Sequence, residues 1–267
     1  MKTYYYVHTG HRIGLDRFRR ATAILRMLGD DEITLLCSDF RIAQVAHEFG
    51  VAKSVGVDVV RNIPHISDFG DKLIFDSDEA NPIMLKDMEE YFSSFLHVEE
   101  NMSVVDSKYF DAQTKEKTIE LSYFFGDDDY SKDLEKNFAF LDGLNPNLLL
   151  GFYYFLDYED MLREKFPSHH ETEDYDEVIM NSEVLITASP QAVLENLASG
   201  GKPIYIQRED YTDSFQEQFK KLNIPTLQNY ENGQLLTILE NIENHEYYKL
   251  EQNTDKTIKL IKNSLSL

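Results

Sequence analysis

The segment Val184-Leu-Ile-Thr-Ala-Ser-Pro-Gln-Ala-Val-Leu-Glu-Asn-Leu-Ala-Ser-Gly-Gly-Lys-Pro-Ile-Tyr-Ile206 constrains the fold more than any other part of the chain. An apolar run, Val184–Thr187, is too short for a helix and suits a buried strand. Ser189 suits the N-cap of a following helix, and Pro190 suits its first position, where a missing N–H costs nothing. Gln191–Ser199 has helical composition, Gly200 and Gly201 stop it, and Ile204–Ile206 is a second strand. A strand, a capped helix and a strand in this order form a parallel crossover, with the helix N-terminus at the carboxyl edge of the sheet. Free N–H groups and the positive end of the helix dipole make that edge a ready anion site. Glu195, about a turn further on, can accept hydrogen bonds from ribose hydroxyls. The same residues also fit an ordinary crossover with Glu195 on a solvated face.

The alternation extends along the whole chain. Strands are expected at Tyr4–Val7, Ile33–Cys37, Lys72–Phe75, Val104–Val105, Ile119–Phe125, Leu148–Phe152 and Pro225–Leu227. Helices are expected at Leu15–Leu28, Phe40–Phe49, Met84–Leu96, Ser131–Leu141, Tyr158–Phe166, Asp174–Asn181 and Ser214–Leu222, and from Glu231 almost to the end. In a chain of 267 residues this predicts an α/β protein with parallel sheets in two β-α-β halves that meet near residues 107–118.

Charge narrows the ligand classes. Against 26 Lys+Arg stand 48 Asp+Glu, a formal charge of -22, which repels nucleic acid and anionic membrane over most of the surface. The one cysteine, Cys37, can make no internal disulfide and no cysteine zinc cage. The N-terminal stretch lacks the apolar core of a signal peptide, and the most apolar stretch, Asn147–Leu156, is far shorter than the roughly 20 residues of a membrane helix. A cytoplasmic protein without a membrane-spanning segment is the expectation.

Ser189, Gln191, Glu195, Gly200, Lys202 and Pro203 resemble the C-terminal nucleotide-binding motif of the GT-B superfamily of sugar-nucleotide enzymes. More narrowly, the segment is similar to the UDP-sugar hydrolases of pseudaminic acid synthesis and to the N-acetylglucosaminyltransferase that forms lipid II. The resemblance implies that Glu195 holds the nucleotide ribose and that Ser189 and Gln191 meet the phosphates or sugar. With the resemblance, the two halves are expected to be Rossmann-like domains with mainly parallel sheets, residues 1–117 and 118–267. It also implies an interdomain cleft, and a last helix, roughly Asn244–Leu265, that crosses back onto the N-terminal domain. Upstream, Ile119–Ser131 resembles the strand that opens the family's C-terminal half and runs into a Gly-Gly-Ser loop. Only Gly126 of that loop is kept, and Asp127, Asp128 and Asp129 replace small residues. Three carboxylates beside a diphosphate repel it unless a metal bridges them or the loop turns away; a solvated loop capping the next helix also fits.

The N-terminal loop is the local exception to the acidity. Of nine arginines, Arg12, Arg17, Arg19, Arg20 and Arg26 fall in the first loop and helix. The loop follows the first strand, so His8, Thr9, His11 and Gly14 belong at the carboxyl edge. There Arg12, Arg17 and Arg20 can grip an anionic group through paired donors, while Arg19 and Arg26 fit pairing with nearby acids. Ile13–Arg20 resembles the family pattern Gly-x-Gly-His-x-x-Arg: Gly14 and Arg20 match, Asp16 stands at the second glycine, and Arg17 stands at the histidine that is the proposed base in the hydrolases. His8, His11 or Asp16 are the candidates to replace it.

Other clusters read as structure. His169-His170-Glu171 lacks the i, i+4 pairing of a helix-borne zinc site and fits a helix start. Asp76-Ser-Asp78 reads as a turn, and Tyr4–Tyr6 and Phe152–Phe155 as core and interface packing. The expected function is a sugar-nucleotide-dependent glycosyltransferase or nucleotide-sugar hydrolase of surface glycan synthesis, using a UDP-sugar, with no metal or cofactor. The alternative is a GT-B-like protein that has lost catalysis and binds a ligand or partner.

Overall fold

The computed structural model describes residues 1–29, 32–252 and 254–265. The chain divides into two compact units, the first comprising residues 1–106 together with the last helix, the second Ser107–Gln252.

In the first unit the strands are β1 (Thr3–Val7), β2 (Thr34–Cys37), β3 (Ser54–Gly56), β4 (Lys72–Asp76) and β5 (Ser94–His97). Its helices within residues 1–106 are α1 (Asp16–Leu28), α2 (Phe40–Val45) and α3 (Pro82–Tyr91). The sheet order is β3-β2-β1-β4-β5, and every pairing is parallel. The central strand β1 carries Tyr4, Tyr5 and Tyr6, all buried, as its core reading required. Phe18, Ala21, Ile24 and Leu28 form the buried face of α1, and the helix ends at Gly29, whose left-handed backbone (φ 60°) lets its N–H reach the Leu25 carbonyl.

One stretch departs from the sequence expectation. The helix predicted to reach Leu96 stops at Tyr91, and Ser94–His97 becomes β5, paired with β4 from Lys72↔Ser94 to Phe75↔His97. The apolar period of α3 continues into Phe92 and Phe95, so helix and strand were indistinguishable by period, and the open edge of β4 decided the outcome. Val104–Val105, expected as a strand, is buried irregular chain. The short strand β3 carried too weak an apolar signal to be predicted.

The second unit contains α4 (Ser107–Asp111), β6 (Ile119–Phe124), α5 (Asp133–Lys136), β7 (Asn147–Leu149), α6 (Leu156–Lys165), β8 (His169–His170), α7 (Tyr175–Asn181), β9 (Ser182–Thr187), α8 (Pro190–Ala198), β10 (Lys202–Ile206), α9 (Gln216–Lys221), β11 (Thr226–Leu227) and α10 (Asn232–Asn241). The order is β11-β10-β9-β6-β7-β8, again parallel throughout. His169 and His170 form an edge strand rather than a helix start. The predicted Ser131–Leu141 helix is a single turn, α5, followed by a 3₁₀ turn at Phe138–Leu141. Helix does not run unbroken from Glu231 either, since 245–252 is irregular. The last helix, α11 (Thr254–Leu265), packs on β5 and α1 of the first unit.

Each sheet has one point where the strand order reverses: between β1 and β4 in the first unit, and between β6 and β9 in the second. Loops leaving the carboxyl ends of such neighbours diverge to opposite faces and open a crevice, the usual place for a ligand in this architecture.

Candidate functional site

At the second unit's reversal point, β6 pairs with β9 up to Phe124↔Thr187, so the loops beginning at Phe125 and Ala188 leave side by side. Ser189 is the N-cap of α8: its Oγ accepts the Ala192 N–H at 3.1 Å, while its own N–H donates to Thr187 Oγ1 at 3.0 Å. Every residue from Pro190 to Ala198 is buried. Glu195 is therefore internal, 2% exposed, contrary to a solvated face. One carboxyl oxygen accepts the Tyr175 hydroxyl at 2.7 Å and the other the Gln191 amide at 2.8 Å. Tyr175 is held edge-on against Phe124, ring centroids 5.3 Å apart. Tyr109 of α4 is buried nearby and donates to Asp176 at 2.6 Å. Burial, then the Glu195 charge, push its hydroxyl pKa far up.

The neighbouring loop explains its three aspartates. Gly126 sits at φ 136°, open to glycine alone, and a side chain on Gly151 would strike the Gly126 carbonyl, so the two loops approach backbone to backbone. Asp127, Asp128 and Asp129 are all buried, not solvated. Capping does hold: Asp129 accepts the N–H groups of Asp133 and Leu134 at 2.7 and 3.0 Å, and the Tyr158 hydroxyl at 2.5 Å. Burial raises the Asp129 pKa in spite of these donors. Asp128 Oδ2 accepts the Tyr130 N–H at 3.1 Å.

Arg208, two residues beyond β10, was not singled out in the sequence. Its guanidinium lies 4.6 Å from the Phe125 ring centre and 4.3 Å from that of Tyr211. It pairs with both oxygens of Asp210 at 2.8 and 2.7 Å, and donates to the Asp128 carbonyl at 2.7 Å. It fastens the 126–129 loop to the end of β10. Its only sequence signal was an arginine beside Glu209-Asp210 at a strand end.

At the first unit's reversal point, the chain past β1 meets the chain past β4. His8 Nδ1 lies 3.0 Å from Asp78 Oδ1, and Arg17 Nη1 donates to the same oxygen at 2.8 Å. A carboxylate only accepts, so Nδ1 is the donor in this bond and Nε2 is the ring nitrogen turned away from Asp78. The His8 hydrogen bond, against opposing burial and with help from Arg17, holds the Asp78 pKa well below the usual carboxylate range. Arg17 reaches Glu100 as well, at 3.5 Å. Asp76-Ser-Asp78, read from sequence as a plain turn, thus supplies the acids that organise this edge. A hollow of about 200 Å³ opens here, lined by Arg17, Asp78, His97, Glu99 and Glu100 among others.

The arginines do not form one anion grip. Arg20 is buried; its Nε and Nη2 bond both oxygens of Asp76, at 3.0 and 2.5 Å. Its Nη1 donates to the carbonyls of Glu100 and Met102 at 2.6 and 3.1 Å. The Tyr5 hydroxyl completes the group at 3.0 Å from Asp76. Burial disfavours the Arg20 charge, but Asp76 outweighs it and raises the pKa. Arg26 pairs with Asp106, and Arg19 lies 3.9 Å from Asp16, as their sequence reading required. Gly10 and Gly14 close a tight turn, with Gly14 N–H donating to the Gly10 carbonyl at 2.9 Å. His11 and Arg12 lie in that turn, Arg12 in the left-handed region at φ 71°, a conformation that disfavours any side-chain-bearing residue. The structure therefore groups His8 with Arg17, leaves His11, Arg12 and Gly14 in the adjoining turn, and sends Arg20 into the core.

Among the described residues there is no group of three or more His, Cys, Asp or Glu side chains that could hold a metal ion, and no helix long and apolar enough to cross a membrane.

No known protein family matches the sequence, and no curated protein does either. The solved structure of the spinosyn forosaminyltransferase SpnP matches over 99% of this chain and 99% of its own, with a TM-score of 0.54 and 13% identity. The chain shares the fold of that structure. Lower similarity is found to the UDP-GlcNAc 2-epimerase of Methanocaldococcus jannaschii (TM-score 0.49, 11% identity, 98% of this chain and 100% of the other). The E. coli heptosyltransferase WaaC with ADP is comparable (0.48, 10%, 92% and 99%). The expected α/β class, two Rossmann-like halves of the GT-B type with mainly parallel sheets, is the fold observed.

Proposed function

We propose that the chain is a sugar-nucleotide enzyme of glycan biosynthesis, a glycosyltransferase or a nucleotide-sugar hydrolase, with a UDP-sugar as the favoured donor. The observation that carries the reading is the His8–Asp78–Arg17 arrangement at a reversal point of the sheet. An imidazole fixed through Nδ1 leaves Nε2 to take the proton of an acceptor hydroxyl or water as its oxygen attacks the anomeric carbon. The anomeric C–O bond breaks, and the nucleoside diphosphate leaves with the bonding electrons. Ser189, Gln191 and the start of α8 are suited to that diphosphate, because an α-helix N-terminus stabilises developing negative charge without a metal. His8 is favoured as the base over Asp16, which lies against Arg19, and over His11, which sits inside the turn closed by Gly10 and Gly14, because His8 is oriented by Asp78. Gly126, Gly14 and Arg12 remain candidates to line the ligand through backbone and guanidinium donors. Arg20 acts indirectly, by holding Asp76 and the 100–102 loop.

A second reading has its own support. Both Glu195 oxygens already carry donors from the chain itself, and three buried aspartates fill the loop that the resemblance would leave small. A protein that binds a ligand without turnover fits these facts.

Calorimetry with UDP, UDP-N-acetylglucosamine and CMP, paired with ³¹P NMR of nucleotide release, tests both. The enzyme reading expects binding that weakens at least tenfold in Glu195→Ala, and turnover that falls about 10²–10⁴-fold in His8→Ala. Absence of binding by every nucleotide overturns it. Binding without turnover, indifferent to His8→Ala, establishes the second reading instead.

A further inference from the structure

A second cavity lies at the amino edge of the second sheet, away from the loops of Gly126 and Ser189. It measures about 430 Å³ and is enclosed by the chain leading into β7 and β8, a volume within the usual range for a small-molecule site. Phe138, Leu141, Leu144 and Phe166 give it apolar walls, with the Phe138 and Phe166 rings edge to face, 5.9 Å apart. Its shape is fixed before any ligand arrives. Gly143 turns the loop at φ 83°, Leu144 N–H donates to the Leu141 carbonyl at 3.0 Å, and the Asn232 amide donates to the carbonyls of Phe140 and Asp142 at 2.9 and 3.0 Å.

Two charged side chains line this apolar space, Lys165 and Asp142. The Lys165 ammonium lies 5.1 Å from the centre of the Phe138 ring. Among the described residues it makes no ion pair, although the chain carries 48 carboxylates. The Asp142 carboxylate likewise has no cationic partner among them. Two charges of opposite sign beside apolar walls complement a ligand that carries both signs and an apolar body. A simple anion would be repelled by Asp142 and a simple cation by Lys165.

We propose that this cavity binds a small zwitterion with an apolar body, an apolar α-amino acid. Its carboxylate pairs with Lys165, its ammonium with Asp142, and its side chain lies against Phe138, Leu144 and Phe166. The site is separate from the proposed sugar-nucleotide chemistry and does not depend on it.

The probes are L-phenylalanine and L-leucine, compared with 3-phenylpropionate and 2-phenylethylamine, added to methyl-labelled full-length protein and followed by NMR at Leu141 and Leu144. The expected result is saturable binding of at least one amino acid at one site. The matching anion and cation should bind at least tenfold more weakly, and Lys165→Met and Asp142→Asn should each cost about tenfold. Both residues are exposed, so the variants keep the fold, which a thermal melt verifies. The proposal is overturned if neither amino acid perturbs these methyls, if the anion or cation binds as tightly as the zwitterion, or if both variants bind like the parent.

Discussion

The two carboxyl edges solve opposite electrostatic problems in the same way. In the first unit the sequence concentrates arginine, and the fold answers three of them with acid: Asp78 and Glu100 for Arg17, Asp76 for Arg20, Asp106 for Arg26. In the second unit the sequence concentrates acid, and the fold answers with donors: backbone N–H and the Tyr158 hydroxyl for Asp129, and Tyr175 and Gln191 for Glu195. Charges that looked in sequence like ligand grips are in large part the braces of their own loops. A buried charge without a partner costs several kcal/mol, so each one that folding covers must meet its complement. Under the proposed function a ligand would meet His8 at the first edge and the start of α8 at the second.

If Asp76 and Asp78 at the first edge are held by ion pairs, and Asp129 and Glu195 at the second by neutral donors, breaking them should differ in size. Arg20→Leu removes the partner of a carboxylate that is 1% exposed and should cost about 3–5 kcal/mol in urea unfolding; a loss below about 1 kcal/mol would mean the pair braces nothing. Tyr175→Phe removes one neutral donor from Glu195 and should cost about 1–3 kcal/mol. The two losses converging would erase the contrast between the edges. Ser189→Ala removes the α8 cap, worth about 1 kcal/mol, and circular dichroism should show the fold intact.

The smallest effect is a pH dependence. The folded-state pKa of Asp78 lies below its unfolded value, chiefly through the His8 hydrogen bond. Its contribution is present above about pH 4 and is lost as pH falls below that. The Asp78 side chain is 59% exposed, so salt screens the effect. Thermal melts should show a small advantage of the parent over Asp78→Asn at pH 6 that narrows by pH 3; an advantage that grows toward low pH would reverse the assignment.

Much of the fold was legible because it rests on local patterns. Ser189-Pro190 and Gly200-Gly201 bracket α8 by capping chemistry, and the α1 face follows from Phe18, Ala21, Ile24 and Leu28. β5 was not legible, because Ser94–His97 continues the apolar period of the preceding helix and only the free edge of β4 makes it a strand. The site was legible as loops but not as contacts. His8 and Arg17 were candidates, but Asp78 stands 70 residues from His8, and nothing in either segment announces the other. Arg208 and Tyr175 escaped notice for the same reason, since their roles exist only against Asp128 and Glu195.

The sequence by itself determined the alternation of strands and helices, the capped helix at Ser189 and the surplus of acid, because these depend on residue type and on spacing within a few positions. Tertiary structure decided which charges take a partner from within the chain. The strand order brings loops distant in sequence to one edge, and burial there compels each charge either to take a partner from the chain or to stay at the surface.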